Sequence, residues 1–253
     1  MRLFSSAQRR PRRRVRRGIV ATAVAIVATA ATTVPAAALQ FQPDGHGGQL
    51  APENVITDEP YVDNGEVLDA TQIGDFIYVA GRFSSVKRSV TGTRFNQGGL
   101  FRYRLSTGQL DTNFNPNIDT DDVRVIMPSA DGTSLFVGGK FNTVDGVARR
   151  NLVKLNAFNG NVISGFQATV NGVVRAMDID GGTLWIGGGF GFVSGVRRGA
   201  LAALDGNTGA VRASTLWVDG TVAPTNPVQG IEITPDGNTM VVAHVAANVG
   251  TKV

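Results

Sequence analysis

Residues 136–152 read FVGGKFNTVDGVARRNL, and the Gly139-Lys140-Phe141 at the centre of this stretch decides the fold. The same Gly-x-Phe pattern occurs 58 residues earlier as Gly81-Arg82-Phe83 and 49 residues later as Gly188-Gly189-Phe190. In each copy a valine stands three residues after the phenylalanine. Because periods of about 40–50 residues are typical of propellers and solenoids, the spacing predicts a repeat protein.

Short runs of β-branched and aromatic residues precede these glycines and predict buried strands. The runs are Phe76-Ile77-Tyr78-Val79-Ala80, Leu135-Phe136-Val137 and Leu184-Trp185-Ile186. Asp-Gly pairs between apolar segments, at Asp131-Gly132 and Asp236-Gly237, predict tight hairpins. Each unit therefore contains about four strands and no helical period. This favours an all-β chain of four-stranded antiparallel blades, arranged as a complete or incomplete β-propeller.

The glycines and phenylalanines of the pattern are predicted to form the core of the repeat. A glycine fits where a strand packs so closely on its neighbour that a side chain would clash. Each phenylalanine would fill the space between adjacent blades, where burial of one ring contributes roughly 1.5–3 kcal/mol. The predicted core positions are Gly81, Phe83, Gly139, Phe141, Gly188 and Phe190.

The first 38 residues have the charge order of a secretory signal peptide. They carry eight arginines and no acid, and residues 18–39 are uncharged. A basic stretch, then an apolar stretch, then small residues is typical of such signals. The small residues Ala36 and Ala38 predict cleavage before Leu39, and hence a secreted or cell-surface protein. The alternative is an uncleaved membrane anchor, because the uncharged stretch is long enough to span about 30 Å of hydrocarbon.

Composition excludes several classes of function. The chain of 253 residues has no cysteine, which removes disulfide scaffolds, thiolate metal sites and cysteine nucleophiles, and it has only two histidines. Without the eight N-terminal arginines, 16 basic residues face 20 acidic ones, a net charge of −4. The basic excess is thus confined to the N-terminal segment, and we expect no nucleic-acid partner.

The chain divides into a signal peptide at 1–38, a linker or outer-strand segment at 39–66 and the repeats at 67–253. The repeats cover 67–118, 123–170, 174–218 and, in part, 226–253. Propellers usually close 4–8 blades into a ring, so the half copy has two explanations. The sequence is a fragment of a longer chain, or residues 39–66 complete the last blade and close a four-bladed ring.

A consecutive motif in the second copy supports a family resemblance. It comprises Leu110-Asp111-Thr112-Asn113-Phe114-Asn115-Pro116, Val123-Arg124, Asp131-Gly132, Phe136-Val137-Gly138-Gly139-Lys140-Phe141, Val144, Gly146, Arg149-Arg150-Asn151-Leu152 and Leu155-Asn156. This motif resembles the delta-sixty type of β-propeller repeat found in secreted bacterial proteins, notably actinobacterial ones. The resemblance covers about residues 67–253, although copy one carries an insertion and copy three lacks the Leu-Asp-x-x-Phe ending. It implies a propeller outside the cytoplasm, often beside adhesive or carbohydrate-binding modules, and no established catalytic residues.

Only one weak candidate for a metal site emerges. Asn117, Asp119, Asp121 and Asp122 have a spacing that can wrap oxygens around calcium. The EF-hand pattern fails, because Pro128 stands in place of the closing glutamate, and an acidic loop between blades explains the spacing as well. No other cofactor is expected.

The sequence predicts no catalytic residues, since neither a G-x-S-x-G motif nor a sialidase-type Asp box occurs. We therefore expect a non-catalytic recognition or scaffold module for an extracellular protein or glycan. The alternative is an extracellular hydrolase acting on glycans, with catalytic residues in blades beyond the chain end. Convergent carboxylates near the axis would favour the hydrolase.

Overall fold

The computed structural model describes residues 59–89, 92–120, 122–214, 216–218, 227–244 and 249–251, all within the compact unit Asn54–Val253. These residues form strands and turns and no helix, which confirms the all-β class. Accordingly, this part of the chain offers no apolar helix of bilayer-spanning length. The predicted signal peptide, with Ala36, Ala38 and Leu39, lies outside the described residues.

The described residues contain twenty strands, most of them short. In chain order these are β1 Tyr61–Val62, β2 Glu66–Ile73, β3 Phe76–Arg82, β4 Val86–Lys87, β5 Arg94–Phe95, β6 Leu100–Arg104, β7 Val123–Pro128, β8 Ser134–Gly139, β9 Thr143–Val144, β10 Val147–Ala148, β11 Leu152–Asn156, β12 Val173–Asp180, β13 Thr183–Gly189, β14 Phe192–Val193, β15 Val196–Arg197, β16 Leu201–Asp205, β17 Leu216–Val218, β18 Val228–Ile233, β19 Met240–His244 and β20 Val249–Thr251.

Three antiparallel sheets repeat one strand order, and a fourth begins the same way. Sheet 1 pairs β2 with β3 and β3 with β6; sheet 2 pairs β7, β8 and β11, and sheet 3 pairs β12, β13 and β16, in the same manner. Sheet 4 pairs β18 with β19. Small accessory sheets accompany the repeats: β1, β4 and β5 in the first, β9 and β10 in the second, and β14 and β15 in the third. No described sheet closes on itself.

The fourth strand expected in each unit is reduced to a single bridge. Leu110, Val162 and Val211 each make one antiparallel bridge to the third strand of their sheet. In the first copy the chain turns again immediately, because Asp111 Oδ1 accepts a hydrogen bond from the N–H of Asn113 at 3.0 Å. Sheets 1 to 3 are therefore three-stranded rather than four-stranded.

The glycine of each Gly-x-Phe triplet lies against the start of the first strand. A Cβ atom placed on Gly81, Gly139 or Gly188 would lie 2.0–2.3 Å from a backbone carbonyl oxygen at that point. Contacts this short are impossible for a carbon atom, so any side chain would push the first and second strands apart. The first strand also carries a β-bulge near this contact in all four sheets.

The three phenylalanines that follow are buried, with at most 5% of each residue exposed. Phe141 belongs to an apolar cluster that spans sheets 1 and 2. Phe190 belongs to the corresponding cluster of sheets 2 and 3, and Phe83 packs in a cluster of sheet 1 and its accessory sheet. The sheets are therefore joined through apolar layers that the repeat builds in the same way.

A buried cation also links sheet 1 to sheet 2, and another links sheet 2 to sheet 3. Arg102 in β6 is 5% exposed, pairs with Asp111 at 2.6 Å, and donates to the carbonyl oxygens of Ala157 and Phe158 in the second copy. Its guanidinium lies 4.1 Å from the ring centre of Phe76, within the range of a cation–π contact.

The same arrangement recurs one repeat later. Lys154 is the third residue of β11, as Arg102 is of β6, and its Nζ donates to the carbonyl of Gly206 at 2.9 Å. The ammonium lies 4.9 Å from the ring centre of Phe136. Burial lowers the pKa of Lys154, while Asp131 and Asp205 act in the opposite direction. In sheet 3 the corresponding residue is Ala203, so this tie is specific to the first two copies.

One backbone position before each third strand adopts a left-handed conformation. Gly99 has φ of 70°, Asn151 of 64° and Ala200 of 61°. In all three copies its N–H donates to the carbonyl of the repeat phenylalanine. Glycine tolerates this conformation, and Asn151 offsets its strain through side-chain hydrogen bonds with Phe141 N and Val170 O. Ala200 has neither advantage, so it carries uncompensated strain.

Replacing Ala200 by glycine should raise the free energy of unfolding by about 0.5–1 kcal/mol, because the left-handed strain is relieved. The matched control is Ala202→Gly, two residues further along. Ala202 is buried inside β16, so glycine there should lower the free energy of unfolding by roughly the same amount. Urea denaturation of both variants measures the difference. Equal effects in the two variants would refute the strain argument.

Replacing Arg102 by alanine should lower the free energy of unfolding by about 3–5 kcal/mol. The substitution leaves Asp111 without its ion-pair partner and the carbonyl oxygens without their hydrogen-bond donor. The control is Arg104→Ala in the same strand. Arg104 pairs with Asp75, with 47% and 39% of the two side chains exposed, and exposed pairs contribute at most about 1 kcal/mol. Thermal or urea unfolding tests the contrast, and a loss at Arg102 no larger than at Arg104 would contradict it.

Candidate binding clefts

The Gly-x-Phe segments open two equivalent clefts, one between sheets 1 and 2 and one between sheets 2 and 3. The first cleft has a volume of about 680 Å³. Its lining residues are Asn64, Arg82, Phe83, Ser84, Asn117, Ile118, Asp119, Thr120 and Asp122. The second cleft has a volume of about 250 Å³. Its lining residues are Thr120, Lys140, Phe141, Asn142, Arg150, Asn151, Asn171, Gly172 and Val173.

The charges of the first cleft are compensated within the protein. Arg82 Nε donates to Glu66 Oε1 at 2.6 Å. Asp122 receives two contacts from Arg124, with Nε 2.8 Å from Oδ1 and the terminal amino group 2.9 Å from Oδ2. Asn64 donates to the hydroxyl of Ser84 at 2.5 Å. This cleft is therefore polar, and its arginine and Asp122 both have partners.

Asp119 of the predicted calcium set closes a loop of the repeat. Its Oδ1 accepts the N–H of Asn142 at 2.9 Å. Burial raises the pKa of Asp119, but hydrogen bonds from Asn142 and Thr143 outweigh burial, so the pKa lies below its usual value. In the next copy Asn171 closes the corresponding loop, because its Oδ1 accepts hydrogen bonds from the N–H groups of Gly191 and Phe192 at 2.9 Å. An amide thus serves where the second copy has a carboxylate.

The other members of that set also have protein partners. The N–H of Asn117 donates to Asp145 Oδ1 at 2.8 Å, Asp122 pairs with Arg124, and Asp121 lies outside the described residues. Asn117, Asp119 and Asp122 do line one cleft. Yet the described part of the chain contains no group of three or more His, Cys, Asp or Glu side chains placed to hold a metal ion.

Two further carboxylates connect neighbouring sheets by hydrogen bonds. The sequence did not predict this role for them. Asp69 Oδ2 accepts the N–H of Ile126 in sheet 2 at 2.8 Å, and Asp178 Oδ2 accepts the N–H of Ile233 in sheet 4 at 2.5 Å. Burial raises the pKa of Asp69, partly offset by its backbone hydrogen bonds from Ile126 and Ala70. These aspartates act as structural ties.

Sequence reasoning also missed Arg102, Lys154 and Asn151. Their side chains are polar and nevertheless buried, so hydrophobic periodicity carries no signal for them. A comparison of the copies could have found the first two, since both stand two residues after the leucine that begins the third strand. Asn151 stands directly before that leucine, where the other copies have glycine or alanine.

No family model and no curated protein matches the chain, so the delta-sixty resemblance stays a prediction. Among solved structures, the computationally designed Ika4 protein is similar with 12% identity and a TM-score of 0.43, over 74% of this chain and 96% of that one. The extracellular domain of a hybrid two-component system, BT4673 from B. thetaiotaomicron, is similar with 14% identity and a TM-score of 0.43. That match covers 74% of this chain and 22% of the other. The proposals below rest on the chain's own residues.

Replacing Asp119 by asparagine should leave the melting temperature nearly unchanged, because Asn171 shows that an amide oxygen can cap the same loop. Replacing it by alanine should cost about 1 kcal/mol, the contribution of the lost hydrogen bonds. Thermal unfolding of both variants, with calcium and with a chelator, measures the effect. A calcium-dependent rise in wild-type melting temperature that Asp119→Asn abolishes would instead identify Asp119 as a calcium ligand.

Proposed function

We propose that this protein is a secreted or cell-surface β-propeller that acts, without catalysis, as a recognition or scaffold module for a protein or glycan. The packing of the first strands supports the propeller. β2 contacts β7, β7 contacts β12, and β12 contacts β18. In a propeller the innermost strands of successive blades are neighbours around the axis in this way.

The observation that carries the recognition role is the pair of equivalent clefts. Each is built from the same segment of a repeat whose phenylalanine is buried in the core. The frame is thus constant while the polar lining residues differ between copies. Binding surfaces are commonly formed in this way, by variable loops on a rigid scaffold.

Four carboxylates in or next to the first strands, Glu66, Asp69, Asp122 and Asp178, have partners within the protein, which supports a role without catalysis. A glycoside hydrolase generally uses two carboxyl groups facing each other across the substrate, one of them a general acid. Glu66 and Asp122 are paired with arginines, while Asp69 and Asp178 accept backbone hydrogen bonds from the next sheet. In these four positions the carboxyl groups stabilise the protein, and none is free to act on a ligand.

The proposal predicts export and binding without turnover. The full chain, produced in a secreting bacterial host, should appear in the medium or at the cell surface with Leu39 as its first residue. The exported protein should bind members of a glycan or protein array with a Kd that is unchanged by prolonged incubation, and it should release no reducing ends from the bound glycans.

Heat-unfolded protein serves as the control, since binding by a folded cleft disappears on unfolding. Steady release of reducing ends by the folded protein, and not by the unfolded control, would show a hydrolase instead. Retention of the protein in the cytoplasm would overturn the proposed location.

A further inference from the structure

The two clefts share one design but differ in charge. In the first, the cation of the Gly-x-Phe triplet is Arg82, and its partner is Glu66 at the start of the first strand. In the second, the cation is Lys140, and the residue corresponding to Glu66 is Asp122. The backbone shows this correspondence, since Gly81 approaches the carbonyl of Glu66 as Gly139 approaches that of Asp122.

Lys140 does not pair with Asp122, because Asp122 already forms an ion pair with Arg124. Arg124 stands at the bulge of β7 and forms an ion pair with Asp122, in which its terminal amino group donates a hydrogen bond to Oδ2. The bulge residue of the first copy is Leu68, which has no charge, so Glu66 there remains available to Arg82. The residue at the bulge thus explains why Arg82 has an acidic partner and Lys140 has none.

Arg175 is a further cation, which stands close in sequence to the second cleft but is not part of its described lining. It stands at the bulge of β12, as Arg124 does in β7, but the residue two positions before it is Val173 rather than an acid. Its Nε is buried without a hydrogen-bond partner. Burial lowers the pKa of Arg175, and Arg124 and Arg82 lower it further against the opposing effect of Asp122.

Arg150 completes the group, because it lines the second cleft together with Lys140. Within the described residues, the side chains of Lys140, Arg150 and Arg175 form no ion pair and no hydrogen bond. The described lining of this cleft contains no carboxylate. The remaining polar groups of the lining are hydroxyl and amide groups, among them Thr120 and Asn171. Such groups suit the hydroxyls of a sugar.

We propose that the second cleft binds the anionic group, a carboxylate or a sulfate ester, of an acidic polysaccharide, with Lys140 and Arg150 as direct contacts. This assignment deepens the recognition function proposed above and rests on it. The guanidinium of Arg150 matches a planar carboxylate or a sulfate through two parallel hydrogen bonds, and Lys140 adds a point charge.

The test measures binding of the full-length exported protein to polygalacturonate, which carries carboxylates, and to dextran sulfate, which carries sulfate esters. Neutral dextran and poly-glutamate serve as comparison probes. Wild type should bind at least one acidic polysaccharide and not neutral dextran, with affinity that falls as salt rises, since salt screens exposed charges. The double variant Lys140→Ala/Arg150→Ala should bind about tenfold more weakly, because charge-assisted hydrogen bonds are lost.

Two further variants separate the cleft from overall charge and from misfolding. Arg104→Ala/Arg197→Ala removes the same number of charges outside both clefts and should keep the affinity within about twofold, since screened charges at a distance contribute little. Val173→Glu keeps every cation but adds a carboxylate to the lining of the second cleft, at the position that Asp122 occupies in the first. It should weaken binding by several-fold while the melting temperature stays close to wild type.

Equal binding by wild type and by Lys140→Ala/Arg150→Ala would overturn the assignment. Binding of poly-glutamate as tightly as the polysaccharides would also overturn it, since that result would indicate an acidic protein segment as the ligand. Failure of both acidic polysaccharides to bind would overturn it too. In that case binding of neutral glycans or proteins on the array would leave the recognition function standing. Release of reducing ends would remove the recognition function itself.

Discussion

The close approach between a glycine and a backbone carbonyl at the edge of each sheet is the constraint on which the rest of the structure depends. At Gly81, Gly139 and Gly188 the neighbouring carbonyl oxygen occupies the space of a Cβ atom. The start of the first strand and the end of the second are therefore in contact. The residues that follow are then fixed as well: the next side chain borders the inter-sheet cleft in the first two copies, and the phenylalanine after it enters the core. A single backbone contact thus determines both a buried layer and an exposed one.

The buried cations are the second device of the repeat, and they explain how sheets with few strands remain ordered. A three-stranded sheet is marginal on its own, so stability must come from contacts between sheets. Arg102 and Lys154 each reach a carbonyl at the same position of the following copy, and a ring of their own sheet covers each charge. The energetic gain lies less in the ion pair than in the satisfaction of buried carbonyls that would otherwise lack a donor.

The sequence predicts the features that depend on recurring apolar residues. It does not predict the features that depend on a polar side chain or on a backbone hydrogen bond. The β-strands, the repeat copies and the Gly-x-Phe triplets follow from the sequence, because a fully buried strand is a short apolar run and glycine marks a close contact. The number of strands per sheet does not follow, because the fourth strand is reduced to one bridge in each of the first three sheets, which the spacing of apolar residues does not reveal. The role of Asp119 could not be predicted either. The same carboxylate can ligate calcium or cap a loop, and only the position of Asn142 distinguishes the two.

The copies share the glycine and phenylalanine positions that the fold requires. The positions that differ between copies are therefore the ones that set the charge of each cleft. The residue between the glycine and the phenylalanine is Arg82, Lys140 or Gly189, and the bulge residue is Leu68, Arg124 or Arg175. Neither position is restricted by the core, so both are free to vary with the ligand. These two residues together decide which cation pairs with an acid at the start of the first strand. The acid pairs either with the cation of the Gly-x-Phe triplet or with the arginine at the bulge. A cleft with paired charges and a cationic cleft can therefore occur on one backbone through differences at the bulge, at the start of the first strand and at Arg150, without a change in the core.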